Sequence, residues 1–279
     1  MIRLFATDMD GTFLNKNRLI SNRNAAAVHD LQDAGVEFLI ATGRGYSMAK
    51  PLLDLASISC SMINLNGAIF TDDNGKFLHP YSLPFHLVQN IIAYCKHRQI
   101  NYALMSAKRY YVGNPKTYLQ HVLSASSPHA DYLADRFKEE GLRSLRDFSI
   151  QENNLPLKIM IFAKEPSETE SVRAAFQKEK DLSISSSHLL NLEITRYQAT
   201  KGAALKTYIA EKGYQADEVI TIGDSLNDLS MLKDFPHAYA MANAHPECIK
   251  AAPHLAPSNL CDGVGQVIEQ LLANHLHCQ

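Results

Sequence analysis

A mostly apolar run from Ile2 to Thr7 stops abruptly at Asp8, the pattern of a buried strand whose end delivers a carboxylate. Ser21 reads as the N-cap of a helix through Ala25, Ala26, Val28, Leu31 and Ala34, closed by Gly35. Val36 to Ala41 is a second buried strand that ends in Thr42-Gly43-Arg44. A helix over Tyr46 to Ala56 follows, its regularity limited by Pro51. Ser61 to Leu65 is a third strand, and Asn66-Gly67 and Asp73-Asn74-Gly75 are turn signals around short strands. Strands alternating with helices predict an α/β fold, a doubly wound parallel sheet with helices on both faces. Ligands in such sheets bind outside the carboxyl ends of the strands, and the pattern puts both Asp8 and Thr42 there.

The same rhythm returns near the C-terminus. Leu189 to Thr195 reads as a strand, Thr200 to Lys212 as a helix closed by Gly213, and Glu218 to Gly223 as a strand ending in Asp224. Ser225 onward is helical through Leu229 and Leu232, His237 to Met241 is a short strand, and Asp262 caps a last helix through Val264, Val267, Ile268, Leu271 and Leu272. The middle of the chain has its own pattern: a helix from Phe85 to Arg98, strands at Asn101 to Met105, Tyr110 to Val112, Leu157 to Ala163 and Leu182 to Ser186, and a helix from Ser167 to Glu179. Pro80 and Pro84 mark the way in and Ser185-Ser186-Ser187 the way out. The expected organisation is a core of residues 1–83 and 188–279 with an α/β domain, residues 84–187, inserted into it.

Composition adds exclusions. The 279 residues are 46% hydrophobic and 20% charged, with a formal net charge of −2, which offers no basic field for nucleic acid but does not argue against a small anionic ligand. Five scattered cysteines without a C-x-x-C pair fit reduced thiols rather than a disulfide framework or a zinc site. An acidic residue at position 8 argues against a signal peptide, and no run approaches the ~18 apolar residues of a membrane span. The expectation is a cytoplasmic protein with no membrane partner. Its oligomeric state is open, with a monomer as the working expectation.

The chemistry gathers at strand ends. In Asp8-Met9-Asp10-Gly11-Thr12 two carboxylates aim at one point while the glycine turns the chain away. A calcium loop would need a closing Glu at its twelfth position, where Leu19 stands. A plain solvated turn would explain Asp-Gly but not why it ends a buried strand. Asp224 ends another strand, and Asp228 lies one helical turn later. Crowded carboxylates repel, a cation relieves the repulsion, and all-oxygen ligands favour Mg²⁺. Thr42-Gly43 offers a hydroxyl and backbone N–H groups for a phosphoryl oxygen, and Lys201 a compact positive charge. A lone lysine is more often a solvated surface residue, and Thr-Gly more often a helix cap.

In this order, Asp8-Met9-Asp10-Gly11-Thr12, Thr42-Gly43-Arg44, Lys201-Gly202 and Gly223-Asp224-Ser225-x-Asn227-Asp228 resemble the haloacid dehalogenase superfamily. The long insertion and Asn66-Gly67-Ala68 resemble its Cof-type branch of sugar-phosphate and cofactor phosphatases, as do Met241-Ala242-Asn243-Ala244 and Asp262-Gly263-Val264, with Ala242 where the branch often has Gly. The resemblance implies a Rossmann-like core with an inserted cap, and a phosphatase of small phosphorylated metabolites. It implies Asp8 as nucleophile through an aspartyl-phosphate and Asp10 as general acid and base. It further implies Mg²⁺ held by Asp8, the Asp10 backbone carbonyl and Asp224, with Asp228 acting behind them or through a water. Thr42, Gly43, Lys201 and Asn227 would bind the phosphoryl group. Arg44, Asn66 and Glu193 are candidate substrate contacts. Phosphomutase-type transfer is the alternative enzyme reading, and a non-catalytic phospho-metabolite sensor the alternative outside catalysis. Of the twelve histidines, the terminal His275-x-His277 reads as a solvated tail, and His79, His86, His97, His121 and His129, in or near the inserted segment, as surface residues.

Overall fold

In this computed structural model, residues 1–113, 115, 118, 129–149, 154–186 and 189–276 are described. The chain opens with β1 (Leu4–Thr7), α1 (Asn22–Asp33), β2 (Glu37–Ala41), α2 (Tyr46–Leu55), β3 (Ser61–Asn64), β4 (Ile69–Thr71) and β5 (Phe77–Leu78). A middle stretch follows with α3 (Phe85–Arg98), β6 (Asn101–Met105), β7 (Tyr110–Val112), α4 (Ala130–Glu140), β8 (Leu142–Ser144), β9 (Lys158–Phe162), α5 (Pro166–Phe176), β10 (Leu182–Ser185) and β11 (Asn191–Arg196). The last part holds α6 (Lys201–Lys212), β12 (Val219–Gly223), α7 (Leu229–Asp234), β13 (His237–Met241), α8 (Pro246–Ala251), β14 (His254–Ala256) and α9 (Gly263–Leu276).

Period-two alternation organises the first sheet, whose order is β14-β13-β12-β1-β2-β3-β4-β5. On β1, Phe5 packs with α1, α2 and α9 on one face, while Leu4 and Ala6 pack with Ala204, Leu205 and Tyr208 of α6 on the other. The strands from β14 to β3 run parallel, and β4 and β5 add an antiparallel edge. β1 lies between β2 and β12, so the chain departs from it in both directions. That is the topological switch point, and the crevice at its carboxyl end is where such sheets bind ligands.

The second sheet has the order β10-β11-β9-β6-β7-β8 and is antiparallel except for β7 with β8. Ile159, Ile161, Leu104 and Ile194 face a cluster with α3 and α5, whereas Ala103, Met105, Tyr110 and Val112 face Leu65 and Ala68 of the turn after β3 and Ile69 of β4. One strand departs from the expected division. The strand expected over Leu189 to Thr195 as the start of the returning core is Asn191–Arg196, and it pairs antiparallel with β9 and β10. Both of its faces are covered, so its hydrophobic pattern matches either sheet, and only pairing distinguishes them. Ser187 and His188, where the expected boundary falls, lie outside the described residues, as do His121, His277 and Cys278.

Local signals hold where they are chemical. The Ser21 side chain accepts from the Asn24 N–H at 3.1 Å, capping α1. Pro51 sits inside α2 as expected. Asp262 precedes α9, but in a left-handed conformation, with its carbonyl accepting from Gln266 N–H at 3.1 Å. No helix among the described residues is long and apolar enough to cross a membrane. Replacing Ser21 by Ala removes only the cap acceptor. We expect a loss of about 1 kcal/mol in urea unfolding, with catalytic constants unchanged.

Candidate active site

The strand ends of the switch point carry the site. Asp8 follows β1 in extended conformation, its N–H donating to Ile222 O at 3.0 Å. The chain then reverses through Asp10 (φ −76°, ψ 120°) and Gly11 (φ 81°, ψ −5°), the dihedrals of a type II turn. Only glycine takes that second position without strain. A Cβ there would also lie 2.4 Å from Asp224 Oδ2. The turn thus brings the first motif against the end of β12. Thr12 Oγ1 donates to Asp224 Oδ1 at 2.7 Å, and Ser225 Oγ to Asp224 Oδ2 at 2.9 Å.

Lys201, first residue of α6, is wholly buried and joins the motifs. Its Nζ donates to Asp8 Oδ1 at 2.5 Å and to Asp228 Oδ1 at 2.6 Å. Burial pushes the lysine toward neutrality, but Asp228 and Asp8 outweigh it and hold the ammonium charged. Asp228 Oδ2 accepts from the Asp224 and Ser225 N–H groups at 3.0 and 2.9 Å. Both Asp228 oxygens are therefore engaged by protein. Burial pushes the Asp8 carboxyl well above the usual range, Lys201 pulls it down, and Asp228 and Asp224 push it up again. Asp224 is raised for related reasons, burial first. Three carboxylates share one lysine, so negative charge is in excess.

That excess is a fit test for a cation. One oxygen each from Asp8, Asp224 and Asp228 lies within 4.8 Å of the others. An all-carboxylate set suits a hard divalent ion rather than zinc or copper. The Asp10 carboxylate is not in that cluster: Arg44 Nε and Nη2 each donate to it at 2.6 Å. Partial desolvation pushes Asp10 up, yet Arg44 prevails and keeps its carboxyl below the usual range. The two carboxylates read as metal ligands, Asp8 and Asp224, converge, Asp228 joins them, and the Asp10 side chain, expected to act off the metal, turns to Arg44.

Thr42 and Gly43 follow β2. Thr42 N–H donates to Ile63 O at 2.8 Å, and its hydroxyl oxygen accepts from Arg44 N–H at 3.1 Å. Asn66 and Glu193 meet as well. Asn66 Nδ2 donates to Glu193 Oε2 at 2.6 Å, and Asn227 Nδ2 donates to Asn66 Oδ1 at 3.1 Å. Two residues in contact with these loops were not anticipated. Lys158 of β9, wholly buried, donates to Glu193 Oε2 at 2.8 Å and to Gly43 O at 3.1 Å. Tyr110 of β7 accepts from the Gly45 N–H. A lysine inside the apolar run Leu157 to Phe162 was the signal available for the first; Tyr110 carried none, since tyrosine is common in strands.

The profile of the haloacid dehalogenase-like hydrolases matches residues 5–268. The chain belongs to that family. It is 28% identical over 267 residues to a 5-amino-6-(5-phospho-D-ribitylamino)uracil phosphatase of Bacillus subtilis, covering 96% of this chain and 94% of the relative. It is 26% identical over 288 residues to an HMP-PP phosphatase of Yersinia pseudotuberculosis, covering 99% and 95% of the two chains. A solved haloacid dehalogenase-like hydrolase from B. subtilis superimposes with a TM-score of 0.85 at 25% identity, over 97% of this chain and all (100%) of the other.

Two substitutions test the geometry. Gly11→Ala meets both a forbidden φ and the Asp224 carboxylate, and we expect turnover at least about a hundredfold lower, with a melting temperature a few degrees lower at most. Lys201→Met strands two buried carboxylates. It is expected to abolish activity and lower unfolding free energy by about 3–5 kcal/mol in denaturant titrations, most of it recovered at acidic pH, where the carboxyls protonate.

Proposed function

We propose that the protein is a Mg²⁺-dependent phosphatase of small phosphorylated metabolites, sugar phosphates or phosphorylated cofactors, acting through an aspartyl-phosphate on Asp8. The observation that carries this reading is the Asp8 carboxylate at the end of β1, held by Lys201 beside Asp224 and Asp228. Family membership and relatives named as phosphatases support it. Mg²⁺ held by the Asp8 and Asp224 carboxylates and the Asp10 backbone carbonyl would offset the repulsion between two anions and stabilise transition-state charge.

The residues divide the chemistry. An Asp8 oxygen attacks phosphorus, forming the acyl phosphate as the bond from phosphorus to the leaving alcohol breaks. Asp10 gives its proton to the alcohol oxygen. It then takes a proton from the water that attacks phosphorus, which releases inorganic phosphate and returns Asp8 as carboxylate. To act as donor, Asp10 must first part from Arg44, whose pairing favours the ionised form. Thr42, Gly43, Asn227 and Lys201 bind the phosphoryl oxygens, and Asp228 holds Lys201 and the backbone after β12. The middle segment with the second sheet acts as a cap that excludes water and reads the leaving group, with Arg44, Asn66 and Glu193 at its margin. Three buried cysteines without disulfide partners among the described residues, Cys60, Cys95 and Cys248, support a reducing, cytoplasmic setting.

Phosphate release from a panel of phosphomonoesters, with Mg²⁺ and with EDTA, tests the reading in wild type and Asp8→Asn. We expect turnover that needs Mg²⁺ and falls by at least about a thousandfold in the variant; activity that persists in EDTA or in Asp8→Asn would sink it. The ion should also stabilise the fold. The folded state raises the Asp8 and Asp224 pKa values, so above the ordinary carboxylate range their ionisation opposes folding, and a bound cation offsets that cost. Melting temperature should therefore rise with Mg²⁺ concentration at pH 7, and the rise should shrink as pH falls toward 4, where the carboxyls protonate.

A further inference from the structure

We propose that Lys158 and Glu193, both in the second sheet, are positioning residues that act through Asn66 to fix the Asn227 amide beside Gly43. The inference rests on the reading of Gly43 and Asn227 as phosphoryl-binding groups, and adds what orients them.

The direction of the hydrogen bonds follows from valence. Lys158 can only donate, and an ionised Glu193 can only accept. Glu193 Oε2 takes Lys158 Nζ at 2.8 Å and must receive nitrogen, not oxygen, from Asn66, at 2.6 Å. With its nitrogen committed, Asn66 faces Asn227 with Oδ1, and Asn227 must present Nδ2, at 3.1 Å. One proton of Asn227 Nδ2 is used there. The second remains for a ligand, and the nitrogen would lie 3.7 Å from a Cβ built on Gly43.

Three further observations fit a relay rather than independent choices. Asn227 Oδ1 is buried without a hydrogen-bond partner among the described residues, an arrangement a freely turning amide would avoid. Asn66 holds φ 62°, a left-handed conformation that aims its side chain from the end of β3. Lys158 is 0% and Glu193 9% exposed at the side chain, and a buried ion pair contributes little stability that apolar residues of similar size would not. The pair also grips the loop directly, through Lys158 Nζ on Gly43 O at 3.1 Å. The Lys158 charge keeps Glu193 ionised against its burial.

The test measures the inhibition constant of inorganic phosphate against hydrolysis of a phosphomonoester that the wild type turns over, with Mg²⁺ present. This constant does not depend on the fraction of folded enzyme, so a merely structural role would leave it in place. K158M/E193L replaces the pair by apolar side chains, and Asn66→Gly keeps the left-handed backbone while removing the link. We expect each to weaken phosphate by about tenfold or more, the size of a lost hydrogen bond to a charged group. Glu193→Gln retains an acceptor oxygen for both donors and should stay within about threefold of wild type. A phosphate constant within about twofold of wild type in folded K158M/E193L overturns the relay; should that variant not fold, the same result in Asn66→Gly does so alone. Asn227→Ala separates the two ideas. If it weakens phosphate while the other variants do not, only the relay fails; if it leaves phosphate unchanged, the phosphoryl-binding assignment fails.

Discussion

A wholly buried ammonium between two carboxylates governs this molecule. Lys201 starts α6, Asp8 ends β1, and Asp228 lies between β12 and α7, so one ion cluster ties three separate parts of the chain. Unpaired, any member would be costly in a dry interior, and the set is tolerated only because each charge meets another at hydrogen-bond distance. Close approaches elsewhere serve it. Gly223 allows Asp228 to fold back, since a Cβ there would lie 2.6 Å from its carboxyl carbon, and Gly202 lets α6 lie against the Ser230 backbone. With Asp224 beside it, the cluster sets three carboxylates against one lysine. That imbalance is what a divalent cation could offset.

The two sheets divide the labour. The first supplies parallel strand ends, where the side chains of Asp8, Asp224 and Asp228 converge on a crevice. The second lies over that crevice with one face apolar toward its own helices and the other mixed, so that Lys158, Glu193 and Tyr110 reach loops of the first. On β9 and β11 the charged side chains alternate with isoleucines and leucine, which places chemistry on one face and packing on the other. Contacts of this kind couple the covering segment to the loop after β2, so motion of one is not independent of the other.

Arg44 and Asp10 show how local charge decides a resting state. The guanidinium grips both oxygens of Asp10 at the mouth of the site, where the carboxylate is half exposed. A bidentate pair of this geometry favours the ionised acid. The Asp10 side chain is thereby kept off the carboxylate cluster of Asp8, Asp224 and Asp228.

Much of this was legible from the chain alone. An apolar run ending in Asp8 or Asp224, a Ser or Thr before a helix, and Gly after a turn are local rules, and β1, β2, β12 and the caps of α1 and α6 obey them. The convergence of Asp8, Asp224 and Asp228 followed from the alternation of strands and helices, because parallel strands bring their carboxyl ends to one edge. Tertiary structure decided the rest. Asn191–Arg196 joined the second sheet because strand pairing is a long-range choice that a two-sided apolar pattern does not encode. Lys158 became a buried partner of Glu193 because two strands far apart in sequence lie side by side. The Asp10 carboxylate turned to Arg44 because a guanidinium from the next strand end came within reach. Sequence determined which residues are candidates for the chemistry; packing determined which of them touch, because hydrogen bonds and ion pairs depend on distances that only the folded chain defines.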